Sequence, residues 1–214
     1  LRSSELGGTS VVVVLAAGRG LRMGGPKALM TVLGQSWWRL QAERISATER
    51  EAVWVVSPEV RAAITLHPAA PAWLTDADPT APMFSSIVAG VNAARGFARL
   101  RWVHVLPVDV PAPHAATLNA LEVAADTAGV AVPAHAGKTG HPICLTMRWI
   151  EATLFPALEH ASVESRRLDV LAAQSRTIVE VADADVVVNL NTPDAVAQWA
   201  KRQPAPTERH DSRL

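Results

Sequence analysis

Four consecutive valines, Val11–Val14, run directly into Leu15 and leave this segment no polar face. An amphipathic helix needs apolar residues at three- and four-residue spacing, and a half-exposed strand needs alternation. The run shows neither, so it belongs in a sheet covered on both sides. Further short apolar runs follow at 52–56, 72–75, 102–106, 129–132 and 177–181, separated by longer stretches of helical period. That alternation is the pattern of parallel strands joined by helices, an α/β fold. Phe84, Ile87, Val88 and Val91 fall at i, i+3, i+4 and i+7, which predicts a helix over 84–96 with one stripe facing the sheet. Thr192 caps and Pro193 opens a last helix, with Asp194 complementing the positive end of its dipole. With 49% hydrophobic residues in 214, the chain has apolar material for one core. One domain is therefore expected over 10–202, with a flexible leader at 1–9 and a flexible tail at 203–214.

Charge narrows the function classes. Twenty Lys and Arg balance 20 Asp and Glu, so there is no cationic excess of the kind that binds nucleic acid or anionic lipid. No apolar run approaches the ~18 residues of a membrane span, and the opening "LRSSELGGTS" lacks the layout of a secretory signal, so a cytoplasmic protein is expected. The single cysteine, Cys144, forms no internal disulfide, and its neighbours in "HPICL" read as a buried strand. The seven tryptophans are scattered and suit packing better than a stacking platform.

The segment after the valines, "AAGRGLRMGGPKA", combines glycines with cations. A dinucleotide fingerprint needs G-x-G-x-x-G, but Gly18, Gly20 and Gly24 are spaced one residue too long. A P-loop needs Gly-Lys-Ser/Thr, but Pro26 separates Gly25 from Lys27 and Ala28 follows, leaving no hydroxyl for a metal. An extended triphosphate loop fits every residue type present: glycine N–H groups approach phosphate oxygens while Arg22 and Lys27 neutralise charge. The competing reading is a solvated surface turn.

"LAAGRGLRMGGPKALM" closely resembles the L-A-A-G-x-G-x-R-M-G-x-P-K-x-L signature of nucleotidyltransferases that attach a nucleotide to a phosphorylated acceptor. It is most similar to the molybdenum-cofactor cytidylyl- and guanylyltransferase group. The resemblance implies a three-layer, Rossmann-like nucleotidyltransferase fold with a mostly parallel central sheet. It also implies that residues of this loop (Leu15, Ala16, Ala17, Gly18, Gly20, Arg22 and Lys27) hold the nucleoside triphosphate.

Four other segments resemble the same family, in the family's order. "LPVDVP" places Asp109 just beyond the carboxyl end of a buried strand, where ligands sit in open α/β sheets. From the residues alone it is more often a turn former; the resemblance implies that it binds Mg²⁺. "NLNTPD" resembles the family's second metal segment, with Asn191 at the ligand position and Asn189 as its alternative; capping and turn formation would also account for both. "DPTAPMFSSIVAGV" resembles the segment near the nucleotide, which implies contacts from Asp78, Ser85 and Ser86, although helix capping would explain one serine. It departs from the family pattern at Pro82 and Asp78. "GKTGHPICL" resembles the turn of the cytidylyltransferase-like branch, which implies that Gly140 and His141 face the acceptor; a locally satisfied turn histidine is the plain alternative.

The resemblance thus implies a Mg²⁺-dependent enzyme that transfers NMP from CTP or GTP to the phosphate of molybdopterin, with catalysis carried by Arg22, Lys27 and Asp109 and with a molybdenum hydroxylase as downstream partner. The "GHP" turn favours CTP. A sugar-phosphate nucleotidyltransferase shares the first loop and the metal aspartate. A non-catalytic cofactor carrier would have no need of Lys27 and Asp109 together.

Overall fold

The computed structural model describes residues 8–160 and 167–203. Most of the expected leader and tail, positions 1–7 and 204–214, lies outside the described residues, and Thr9 already opens the first strand. The chain forms β1 (Thr9–Ala16), a hairpin of β2 (Thr31–Val32) and β3 (Gln35–Ser36), α1 (Trp37–Ser46), β4 (Glu51–Val56), α2 (Pro58–Thr65), β5 (Leu74–Asp76) and α3 (Met83–Ala94). It continues with β6 (Leu100–Pro107), α4 (Ala115–Ala128), β7 (Val130–His135), β8 (Lys138–Thr139), β9 (Ile143–Thr146) and α5 (Met147–Trp149). A single π-helical turn, Ile150–Leu154, leads into α6 (Phe155–His160); α7 (Leu168–Ala172), β10 (Arg176–Glu180) and α8 (Pro193–Arg202) complete it.

The main sheet runs β10-β7-β9-β6-β1-β4-β5, with β8 paired to β7. β1 lies parallel between β4 and β6, while β9 is antiparallel to both β6 and β7. The sheet is therefore mostly parallel, as the continuous apolar strands predict. The buried strand expected around Cys144 is β9, and the cysteine is fully buried. Its antiparallel direction follows from the tight β7–β8–β9 connection, which returns the chain without a crossover helix.

The valine run is covered on both faces. Val11, Val13 and Leu15 pack with Phe84, Ile87 and Val91 of α3, so the predicted stripe faces the sheet; the helix itself spans 83–94. Val12, Val14 and Ala16 pack on the other face with Trp37 and Trp38 of α1, Val60 and Ile64 of α2, and Trp199 of α8. Thr192 caps α8 as expected, its hydroxyl accepting from the Ala195 N–H at 3.2 Å. Among the described residues no helix is long and apolar enough to cross a membrane.

The order of strands reverses at β1. The chain moves outward from β1 through β4 to β5, then returns to β1's other side as β6. A crevice opens at such a reversal, outside the strand carboxyl ends, because the connecting loops diverge there.

Candidate active site

The chain leaves β1 through a tight loop. Gly20 takes φ +58°, and a Cβ there would meet the Gly25 carbonyl oxygen at 1.9 Å, so only glycine lets the two arms of the loop close. The Gly20 carbonyl accepts from the Met23 N–H at 2.8 Å and the Gly25 N–H at 3.3 Å. A second short turn, Lys27–Leu29, follows, and its fully buried Ala28 pins it to the apolar layer beneath.

Two further loops meet this one. Beyond β6, the Val108 N–H donates to the Leu15 carbonyl at 3.1 Å, joining the ends of the two strands. The buried Gln41 of α1 donates to the Val110 carbonyl at 2.7 Å and the Val108 carbonyl at 3.2 Å, and accepts from the Ala112 N–H at 2.7 Å. Trp37 Nε1 adds a bond to the Val108 carbonyl at 2.5 Å. The loop carrying Asp109 is thereby set by α1. The Leu190 N–H in turn donates to the Asp109 carbonyl at 2.8 Å, which brings Asn191 alongside.

A cavity of about 450 Å³ lies where these loops meet, within the size range of small-molecule sites. Of the residues singled out from the sequence, Leu15, Ala17, Gly18, Gly20, Lys27, Asp78, Ser86, Asp109 and Asn191 line it. Lys27 Nζ donates to Asp109 Oδ2 at 2.6 Å and to Asn191 Oδ1, so three residues up to 164 positions apart share one point. Asp78 Oδ1 accepts from the Thr80 hydroxyl at 2.6 Å and the Thr80 N–H at 2.7 Å; these bonds hold its carboxyl below the usual range.

The others stand elsewhere. The Ala16 side chain belongs to the opposite apolar layer, because alternate residues of β1 face opposite ways. Ser85 is exposed and does not line the cavity, and neither serine caps α3: the cap position is Pro82, which has no side-chain bond to offer. Arg22 belongs to the turn Leu21–Met23, and its side chain lies outside the described residues. Gly140 and His141 form a tie between loops, with Gly140 N–H to the Pro133 carbonyl and His141 N–H to the Val186 carbonyl, both at 2.8 Å. A Cβ on Gly140 would meet the Val186 oxygen at 2.0 Å. His141 Nδ1 is buried without a partner, and burial lowers the imidazole's pKa despite the opposing charge of Asp109.

Asp109 and Asn191 direct oxygens at a point that now carries an ammonium, so the position accepts a cation. Two protein oxygens beside an open cavity suit a hard divalent ion that takes its other ligands from phosphate and water. Among the described residues no three His, Cys, Asp or Glu side chains gather into an all-protein cage.

The profile of the MobA-like NTP transferase domain matches residues 12–179. The chain belongs to this family. As a MobA-like NTP transferase it is a nucleotidyltransferase, and its substrate class is the nucleoside triphosphates. Among solved structures, Rv0371c from Mycobacterium tuberculosis H37Rv is similar with a TM-score of 0.72 at 17% identity, over 91% of this chain and 100% of that one. The same mycobacterial protein has been solved in complex with manganese. Molybdopterin-guanine dinucleotide biosynthesis protein A from Archaeoglobus fulgidus gives 0.66 at 20% identity, over 89% and 97% of the two chains. The 2-C-methyl-D-erythritol 4-phosphate cytidylyltransferase from Thermus thermophilus gives 0.64 at 17%, over 90% and 100%. At these identities the likeness is one of fold, and the mostly parallel sheet is its common frame. A comparison with curated proteins found no significant match.

The MobA-like cavity has lining that the sequence reasoning passed over: Arg19, Leu21, Pro79, Ala81, Met83, Pro107 and Val108. Arg19 carried a signal, since it stands between the two glycines of the loop. Leu21 and Met83 are 76% and 65% exposed, and only the fold brings these apolar side chains to one cavity.

Proposed function

We propose that residues 10–202 form one catalytic domain of a cytoplasmic enzyme that transfers CMP, in preference to GMP, from its triphosphate to the phosphate of molybdopterin. The observation that carries this reading is the convergence of Lys27, Asp109 and Asn191 on the wall of the cavity that faces the glycine loop. Gly18 and Gly20 would offer N–H groups to the phosphates, while Arg22 and Lys27 neutralise their charge. Leu15, Ala17, Asp78 and Ser86 would line the nucleoside end, and Gly140 with His141 would stand towards the acceptor. A neutral His141 can donate a hydrogen bond to an acceptor phosphate without adding a second cation beside the metal position.

Asp109 and Asn191 would hold Mg²⁺, which supplies charge neutralisation on the phosphates when bound. An acceptor phosphate oxygen forms a bond to the α-phosphorus as the bond from that phosphorus to the bridging oxygen breaks, and pyrophosphate leaves with the electron pair. No protein nucleophile takes part. Lys27 would stabilise charge on the leaving group, and the loop would hold the chain in line for attack.

The cytidylyltransferase neighbour and the "GHP" turn support CTP; the name of the Archaeoglobus neighbour supports a molybdopterin acceptor and, for the base, guanine, which is why both nucleotides enter the test. Pyrophosphate release, measured with CTP and GTP, each with and without molybdopterin and with a sugar phosphate in its place, tests the reading. Release with CTP and molybdopterin together is the expected result. Release only with the sugar phosphate replaces the acceptor, and none under any combination supports a carrier.

A further inference from the structure

Lys27 is both the cation expected on the phosphates and the group now seated between the two oxygen donors. Its ammonium meets Asp109 Oδ2 at 2.6 Å and Asn191 Oδ1, with the Lys27 and Asp109 side chains 21% and 17% exposed. A part-buried, charge-assisted pair with a second acceptor is held more firmly than a surface pair. With the ammonium against Asp109 Oδ2 and Asn191 Oδ1, a divalent ion takes both of these oxygens only by displacing it. A free metal ion would have to expel a cation already in place, in return for one carboxylate and one amide oxygen. A triphosphate changes that balance, because its oxygens offer Lys27 another anionic partner in the same cavity. The turn Lys27–Leu29 is anchored by Ala28, so the exchange needs only rotation of the flexible lysine stem.

Resting on the nucleotidyl-transfer reading above, we propose that Lys27 is a placeholder cation. It keeps Asp109 and Asn191 closed to free divalent metal until a triphosphate draws the ammonium away, so that metal and nucleotide bind together. The arrangement also keeps the Asp109 carboxylate from standing part-buried and unpaired before metal binds. Linkage makes the coupling reciprocal: metal favours nucleotide by the same factor by which nucleotide favours metal.

Mn²⁺ titrated without nucleotide and followed by paramagnetic resonance tests the proposal independently of turnover. Lys27→Met should bind Mn²⁺ about tenfold or more tightly than wild type, within the ~5–150-fold range of coupled sites. Adding Asp109→Ala to Lys27→Met should remove the gain. Lys27→Gln serves the same purpose should Lys27→Met fold poorly. Asn191→Ala separates displacement from simple charge repulsion, because it leaves net charge unchanged: in EDTA it should bind metal-free CTP severalfold more tightly, since Lys27 has lost a competing partner. Equal Mn²⁺ affinity in wild type and both Lys27 variants, with the variants' far-UV circular dichroism that of wild type and with wild type binding CTP with Mg²⁺, overturns the placeholder and leaves the transferase reading standing. Failure of wild type to bind CTP or GTP with Mg²⁺ overturns the transferase reading itself.

Discussion

Asp109 is held by residues that do no chemistry. Gln41, fully buried, spends both ends of its amide on the backbone of the loop at Val108, Val110 and Ala112. Replacing it with leucine takes from the Val110 carbonyl and the Ala112 N–H the partner it supplied, at roughly 1–3 kcal/mol for each, while the Val108 carbonyl keeps Trp37. Gln41→Leu should therefore lower the denaturation midpoint and reduce kcat more than it raises KM, because the loop that positions the metal ligand loosens. Unchanged kcat in a destabilised variant would show that the loop keeps its place without α1. Asp109→Ala should abolish pyrophosphate release while the far-UV circular dichroism stays that of wild type; near-normal turnover at saturating Mg²⁺ would remove Asp109 from the metal site. At this scale the sequence was informative about residue type. Lys27, Asp109 and Asn191 could be named from their motifs, whereas Gln41 could not: a glutamine inside "WWRLQAERIS" carries no local mark of the loop it will hold.

At the scale of elements, periodicity and capping were legible because they are short-range. The stripe at Phe84, Ile87 and Val91 faces the sheet, and Thr192 and Pro193 open α8 as the local chemistry requires. Loss of the cap in Thr192→Ala should cost about 1 kcal/mol, read as a lowered denaturant midpoint with unchanged m. Because Asn191 adjoins the cap, the same variant should also weaken Mn²⁺ binding in the presence of nucleotide. The turn after β1 and the direction of β9 were less legible. The loop's two short turns depend on backbone closure at Gly20, and β9 runs antiparallel because of how its connection returns, neither of which is a property of side-chain pattern. The serines of α3 show the opposite failure: a plausible cap was read where Pro82 already occupies the position.

For the whole molecule, acid sensitivity follows from buried titratable groups on neighbouring elements. His104 on β6 lies fully buried with Nε2 3.0 Å from Glu122 Oε1, and Arg50 reaches the same oxygen at 3.0 Å. Burial lowers the pKa of His104 more than Glu122 raises it, and burial likewise lowers that of His141. Burial alone would raise Glu122, but the hydrogen bonds and charges of its neighbours outweigh it and lower the carboxyl. All three folded values lie below their unfolded ones, so each contributes stability that is present above the unfolded pKa and lost as pH falls. The melting temperature should start to drop below about pH 6.5, where the histidines take up protons in the unfolded chain, and drop further below about 4.5 as carboxylates follow. His104→Gln should flatten part of the first limb; an unchanged profile would show that His104 does not carry it. The sequence by itself determined the α/β class, the central strands buried on both faces, the stripe on α3 and the chemical types gathered for a triphosphate, because each depends on neighbours a few residues apart; the edge strand β10, read as equally buried, alternates instead and leaves Ile178 54% exposed, since no layer covers it on both sides. Tertiary structure alone decided which of those types meet. Lys27 meets Asp109 because β1 and β6 are adjacent in the sheet, and Asn191, 164 residues from Lys27, joins them because the Leu190 N–H bonds the Asp109 carbonyl; no local pattern encodes either adjacency.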